Sequence, residues 1–136
     1  MSEMDKVRDL IDSPIENKAE SKKEARSLLK KFFKSRLEDK YALFTPTYKS
    51  KVSKKDWMKE ASAYEKTSHP RYRVKKITLR GGCLIFAQVV LQHTSLGHTT
   101  TQDIVFGLIR ESAPYKPDTK SPYRINGATA PPWVSR

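Results

Sequence analysis

The stretch HTSLGHTTTQD, His93 to Asp103, holds the residues best equipped for chemistry. Two imidazoles and a carboxylate this close together could ligate a metal or move a proton. Zinc wants three or four ligands that converge, so spacing decides the matter. Leu96 and Gly97 read as the tip of a β-hairpin, with Gly97 able to take the positive φ of a turn. In that register Ser95 faces His98, His93 faces Thr100 and Val90 faces Asp103. Side chains alternate between the faces of a strand. His93 and His98 therefore share one face, and Asp103 points to the other. A three-ligand site would need a bulge. The stretch is read as a solvated hairpin tip, and no metal and no cofactor is expected.

Asp103 raises a second possibility. Ile85, Ala87, Val89, Leu91, Ile104, Phe106 and Leu108 make one almost wholly apolar face, which we assign to a core covered by helices. The other face carries Leu84, Phe86, Gln88, Val90, Gln92, Asp103, Val105 and Ile109. A mixed face of this kind meets water, a second subunit or another protein, so Gln88, Gln92, Asp103 and Val105 are the candidate interface residues. Were the faces inverted, Asp103 would sit in an apolar pocket. Burial there raises a carboxyl pKa and suits the group to act as a general base. Tyr41, Tyr48, Trp57 and Tyr64 are the candidates to line such a pocket, although aromatic residues at helical spacing are more often core. Cys83 is the lone cysteine, so no intramolecular disulfide can form. Within GGCLIFAQVVL it reads as a buried, inert thiol. The chain has no phosphate-binding glycine loop and no nucleophile elbow.

These side chains need elements to position them. From Asn17, NKAESKKEARSLLKKFFKSRLEDK places Ala25, Leu28, Leu29, Phe32, Phe33 and Leu37 at steps of three and four, one face of a helix. EDKYALFTPTYKSKV reads as a second, short helix, with Asp39 as a cap near its start and Pro46 ending or bending it. SKKDWMKEASAYEKT reads as a third. Ser53 and Asp56 open it in a capping-box arrangement, and Trp57, Ala61 and Tyr64 form its inner face. After His69 and Pro70 the period changes. RYRVKKITLRGG alternates as a strand and turns at Gly81-Gly82. CLIFAQVVLQHT, TTTQDIVFGLIRES and YRINGATA read as further strands, and APYKPDTKSP as a proline-punctuated loop. Residues 1–16 read as a flexible N-terminal arm, 17–129 as one domain and 130–136 as a C-terminal tail. Helices followed by an antiparallel meander predict an α+β fold, with N-terminal helices packed on one face of a curved antiparallel sheet.

Charge bounds the partners. The 136 residues suit a single domain. The net charge of +12 is uneven, because residues 1–80 hold 22 of the 27 Lys and Arg and 12 of the 15 acids, or +10. A positive half of this size attracts nucleic acid, anionic lipid or an acidic protein. KKEARSLLKKFFKSR alone would suit a membrane surface, yet its apolar stripe is needed for the sheet. YKSKVSKKDWMK and RYRVKK interleave aromatics with cations, a mix suited to phosphates and stacked bases. Weak, non-specific binding to nucleic acid is expected on this ground. No apolar run approaches the roughly 20 residues of a membrane span. The start, MSEMDKVRDLIDSP, lacks the apolar core of a signal peptide. That suits a cytoplasmic protein, and an exported domain with its signal removed suits the sequence nearly as well.

The order of elements resembles the nuclear-transport-factor-2-like superfamily, the cone-shaped, SnoaL-like α+β fold related in shape to cystatins. EARSLLKKFFKSRLEDKYALFTPTYKSKVS, SKKDWMKEA and the strands CLIFAQVVLQH, QDIVFGLIRES and YRING carry the resemblance, over about residues 17–129. The family's last strand often holds a tryptophan where this chain has Tyr123, Arg124 and Ile125. The resemblance implies a cone whose mouth often takes a small apolar ligand. It does not fix function, because the scaffold hosts isomerases, dehydratases, hydrolases, transport adaptors and secretion-system subunits. The expectation is a non-enzymatic binding or assembly module, forming a homodimer or holding a protein partner through the sheet face. One alternative is a pocket enzyme, isomerase- or dehydratase-like, in which Asp103 and a tyrosine move a proton on a small apolar substrate. The other is a basic accessory protein that contacts nucleic acid.

Overall fold

The computed structural model describes residues 18–67 and 70–130. The arm at 1–16 and residues 131–136 of the tail lie outside the described residues. Helices α1 (Lys18–Lys34), α2 (Leu37–Ala42), α3 (Pro46–Lys51) and α4 (Lys54–Thr67) come first. Strands β1 (Arg71–Leu79), β2 (Leu84–Ser95), β3 (His98–Ala113), β4 (Lys116–Pro117) and β5 (Tyr123–Ala128) follow. The described residues thus form an α+β fold of four helices and one open, antiparallel, five-stranded sheet. β1, β2 and β3 run as a meander, and β3 is long enough to pair with both β4 and β5.

Helix α1 lies over β1 and β5. Its stripe of Ala25, Leu29 and Phe32 is wholly buried, and Lys31 and Lys34 in the last turn complement the helix dipole. Phe32 meets Phe44 and Phe106 edge-on at 5.7 and 5.9 Å, while Phe33 stacks on Tyr72 at 4.3 Å. At the other end of α1, Glu24 pairs with Arg110 of β3 and accepts from the backbone N–H of Tyr123.

The segment expected to be one short helix is two. Pro46 neither ends nor bends a helix; it starts α3 at its first position, where a missing N–H is harmless. Thr45 caps that helix by accepting from the N–H of Tyr48 at 3.1 Å. The break also feeds the sheet. Thr45 N–H donates to Ile125 O at 2.8 Å, and Ile125 N–H donates to Leu43 O at 2.9 Å. Asp39 lies inside the first turn of α2, whose cap position is held by Arg36 without a side-chain bond. Ser53 caps α4 as expected, accepting from the N–H of Asp56 at 3.2 Å.

In the sheet, Ser95 pairs with His98, His93 with Thr100 and Val90 with Asp103, the register read from the hairpin. Ile85, Ala87, Val89, Leu91, Ile104, Phe106 and Leu108 are all buried beneath the helices. Three bulges or irregularities interrupt the ladders, between Val74 and Lys76, between Phe106 and Leu108 and between Glu111 and Ala113. Such bulges bend a strand and increase its twist. The proline-punctuated loop contains a short hairpin. Pro114 and Tyr115 turn the chain so that Lys116 pairs back with Ala113. Ala130, the last described residue, is buried.

Candidate functional site

Strand alternation gives the sheet two faces of opposite character. On the face away from the core, cross-strand pairs place Arg73, Val90 and Asp103 in one row and Lys76, Gln88 and Val105 in the next. Thr78, Phe86 and Gly107 follow, and then Leu84, Ile109 and Arg124. Apolar side chains run down the middle of this face, and cations of β1 and β5 stand at its two sides. Phe86 is 40 % exposed. Gly107, its partner across the ladder, leaves open space: a Cβ added there would meet no atom within 4 Å. A large exposed ring beside a glycine makes a shelf with a notch.

The four candidate interface residues share this face. Gln88, Gln92 and Asp103 are exposed and Val105 is half-buried. The four aromatic pocket candidates lie on the other side of the sheet, among the helices. Trp57 and Tyr48 are buried and Tyr41 and Tyr64 partly so. The rings of Tyr41, Tyr48 and Trp57 meet through Phe44, which stacks on Tyr48 at 4.1 Å and lies 5.4 Å from Trp57 and 6.2 Å from Tyr41. Tyr41 donates its hydroxyl to Val52 O at 2.7 Å, and burial pushes its pKa up. The sheet therefore separates Asp103 from all four aromatics.

The hairpin histidines diverge from Asp103 as their parity requires. His93 Nε2 lies 3.4 Å from Gln102 Oε1. Among the described residues, no group of three His, Cys, Asp or Glu side chains is placed to hold a metal ion. Cys83 is buried, and burial pushes its thiol pKa up; the charge of Arg110 opposes this, the charge of Asp118 adds to it, and a hydrogen bond with the Asp118 backbone opposes it. No described helix is long and apolar enough to cross a membrane.

Sequence reasoning missed a polar network at the end of β3. The carboxylate of Glu111 is buried and accepts from the N–H and the hydroxyl of Thr47 at 2.6 and 2.7 Å. Thr47 Oγ1 in turn accepts from the N–H of Tyr115 at 2.8 Å. Only the strand-then-proline order of RESAPY hinted at a turn there. Nothing in the sequence linked it to Thr47.

Fold and site together define a class: an α+β protein with one sheet face sealed by helices and the other left open. Compared with protein-family models, curated proteins and solved structures, the chain matches none.

Proposed function

We propose that this chain is a non-enzymatic binding or assembly module of nuclear-transport-factor-2-like architecture, working through the open face of its sheet. The observation that carries this reading is Phe86 standing exposed beside the empty space over Gly107. Apolar surface grouped on one face marks an interaction site rather than ordinary scatter. Leu84, Val90, Val105 and Ile109 extend the patch around Phe86, and Gln88, Gln92 and Asp103 supply a polar surround. The occupant is a second copy, the reading the mixed character of the face suggests, or another protein, and the cytoplasm is the compartment we assign. The pocket-enzyme alternative draws little support, because Asp103 faces away from Tyr41, Tyr48, Trp57 and Tyr64.

Sedimentation equilibrium over a concentration series tests self-association. The wild-type chain should form dimers, and Phe86→Glu, which puts a charge at the centre of the apolar strip, should shift them to monomer. A dimer indifferent to Phe86→Glu would remove the face from the interface. A wild-type chain that stays monomeric would leave only the other-protein form of the reading.

A further inference from the structure

A separate surface goes beyond that reading. Tyr115 sits at the tip of the β3–β4 hairpin with φ of 61°. Proline followed by a residue of positive φ is the pattern of a type II turn, whose third position calls for glycine. A bulky side chain in that region of backbone space is an outlier that strains the chain. The strain purchases no burial, since the ring is 62 % exposed. Glycine would make the same turn at lower cost, so a tyrosine here points to work done by its side chain.

The surroundings indicate what that work is. Tyr115 is anchored from beneath: its N–H donates to Thr47, and Thr47 is held by the buried Glu111. Both carboxylate oxygens of Glu111 are turned onto Thr47. Above the ring, Lys51 Nζ lies 5.4 Å from its centre, and Lys116 follows directly in sequence. An exposed aromatic ring on an anchored backbone, with Lys51 over it and Lys116 next in sequence, matches the parts of a single-strand site: a ring for an unstacked base and cations for the phosphates beside it. A duplex keeps its bases stacked inside and has none to offer the ring. An acidic peptide would engage the lysines and leave the ring idle.

We propose that the β3–β4 hairpin tip binds single-stranded nucleic acid, with Tyr115 stacking on a base and Lys51 and Lys116 contacting the flanking phosphates. The site is independent of Phe86 and of the open sheet face.

The test is fluorescence anisotropy of a labelled, short deoxythymidine oligonucleotide with the full chain. Tyr115→Ala and Tyr115→Gly should weaken binding about 5- to 150-fold, the equivalent of roughly 1–3 kcal/mol for one stacked base. Tyr115→Phe should restore it. Affinity should fall steeply as salt rises, because phosphate contacts release counterions. Tyr115→Gly should also melt no lower than wild type, since it relieves the turn. Loss of binding without loss of stability is a combination that a packing role for the ring would not produce. The proposal is overturned if Tyr115→Gly binds as wild type does, or if it melts well below wild type. It is equally overturned if a duplex or polyglutamate competes as well as the unlabelled single strand, or if no binding occurs at low salt. None of these results bears on Phe86, whose own variant tests the sheet face.

Discussion

Glu111 and Thr47, far apart in sequence, are joined twice: one carboxylate oxygen accepts from the threonine N–H at 2.6 Å and the other from its hydroxyl at 2.7 Å. The carboxylate on β3 thereby satisfies an otherwise orphan donor at the start of α3 and secures the end of the long strand to the helix layer. Glu111→Gln replaces one acceptor oxygen with an NH2 group, so while the Thr47 N–H keeps its acceptor, the Thr47 hydroxyl proton loses its own in a buried site. Leaving a buried polar group unmet costs about 1–3 kcal/mol. Urea denaturation should show a lower midpoint with an unchanged slope. A midpoint equal to that of wild type would mean that water or a shift of α3 replaces the bond.

Trp57 has no solvent exposure and lies among Tyr41 and Phe44. Removing so much buried ring leaves a cavity, and Trp57→Ala should cost roughly 3–5 kcal/mol. Its Nε1 is buried without a hydrogen-bond partner among the described residues. Trp57→Phe deletes that unmet donor while keeping a ring, so it should cost much less than the alanine variant. Denaturant melts of both variants decide it. A loss below about 1 kcal/mol in Trp57→Ala, typical of surface changes, would contradict the core placement.

Cys83 carries a pH prediction. Burial holds its thiol pKa above the ordinary value in the folded chain, whereas the unfolded chain ionises in the usual thiol range. Below that range both states keep the proton and the group has no effect on stability. As pH rises from the ordinary value toward the raised one, the unfolded chain loses its proton first, so stability falls. The thiolate is the reactive form. Iodoacetamide should therefore modify the folded chain slowly at neutral pH, and the rate should climb with urea in step with unfolding. Fast labelling without urea would show an accessible thiol.

The hairpin histidines give a fourth test. His93 and Asp103 lie on opposite faces, and His98 is exposed at the tip. A chain prepared without a histidine tag should hold no stoichiometric zinc, and the double variant His93→Ala/His98→Ala should melt with the parent, with or without chelator. Retained metal that the double variant loses would show that the two imidazoles recruit ligands from elsewhere.

The amino-acid order by itself determined much of the sheet. In β2 and β3 the period of two separates the apolar set from the mixed set, and Gly97 fixes where the chain reverses. Together these dictate the partner of every residue from Leu84 to Ser95 and from His98 to Ile109, including the face on which Asp103 stands. The steps of three and four around Leu29 and Phe32 likewise determined which side of α1 is buried. These are local properties, because each depends on backbone geometry within a few residues.

Tertiary structure decided the rest, and the reason in each case is a partner remote in sequence. Pro46 starts a helix because Leu43 and Thr45 find backbone bonds on β5, which a local reading of Thr-Pro cannot supply. Lys75 is passed over by the bulge in β1, a break in pairing that alternation does not announce. Tyr41, Tyr48 and Trp57, from α2, α3 and α4, pack around Phe44, contacts that spacing within each helix does not reveal. Tyr115 in sequence is one residue of a proline-rich loop. The bonds through Thr47 to Glu111 help hold it in strained backbone with its ring in solvent, and hydrogen bonds between segments this far apart exist only once the fold has brought them together.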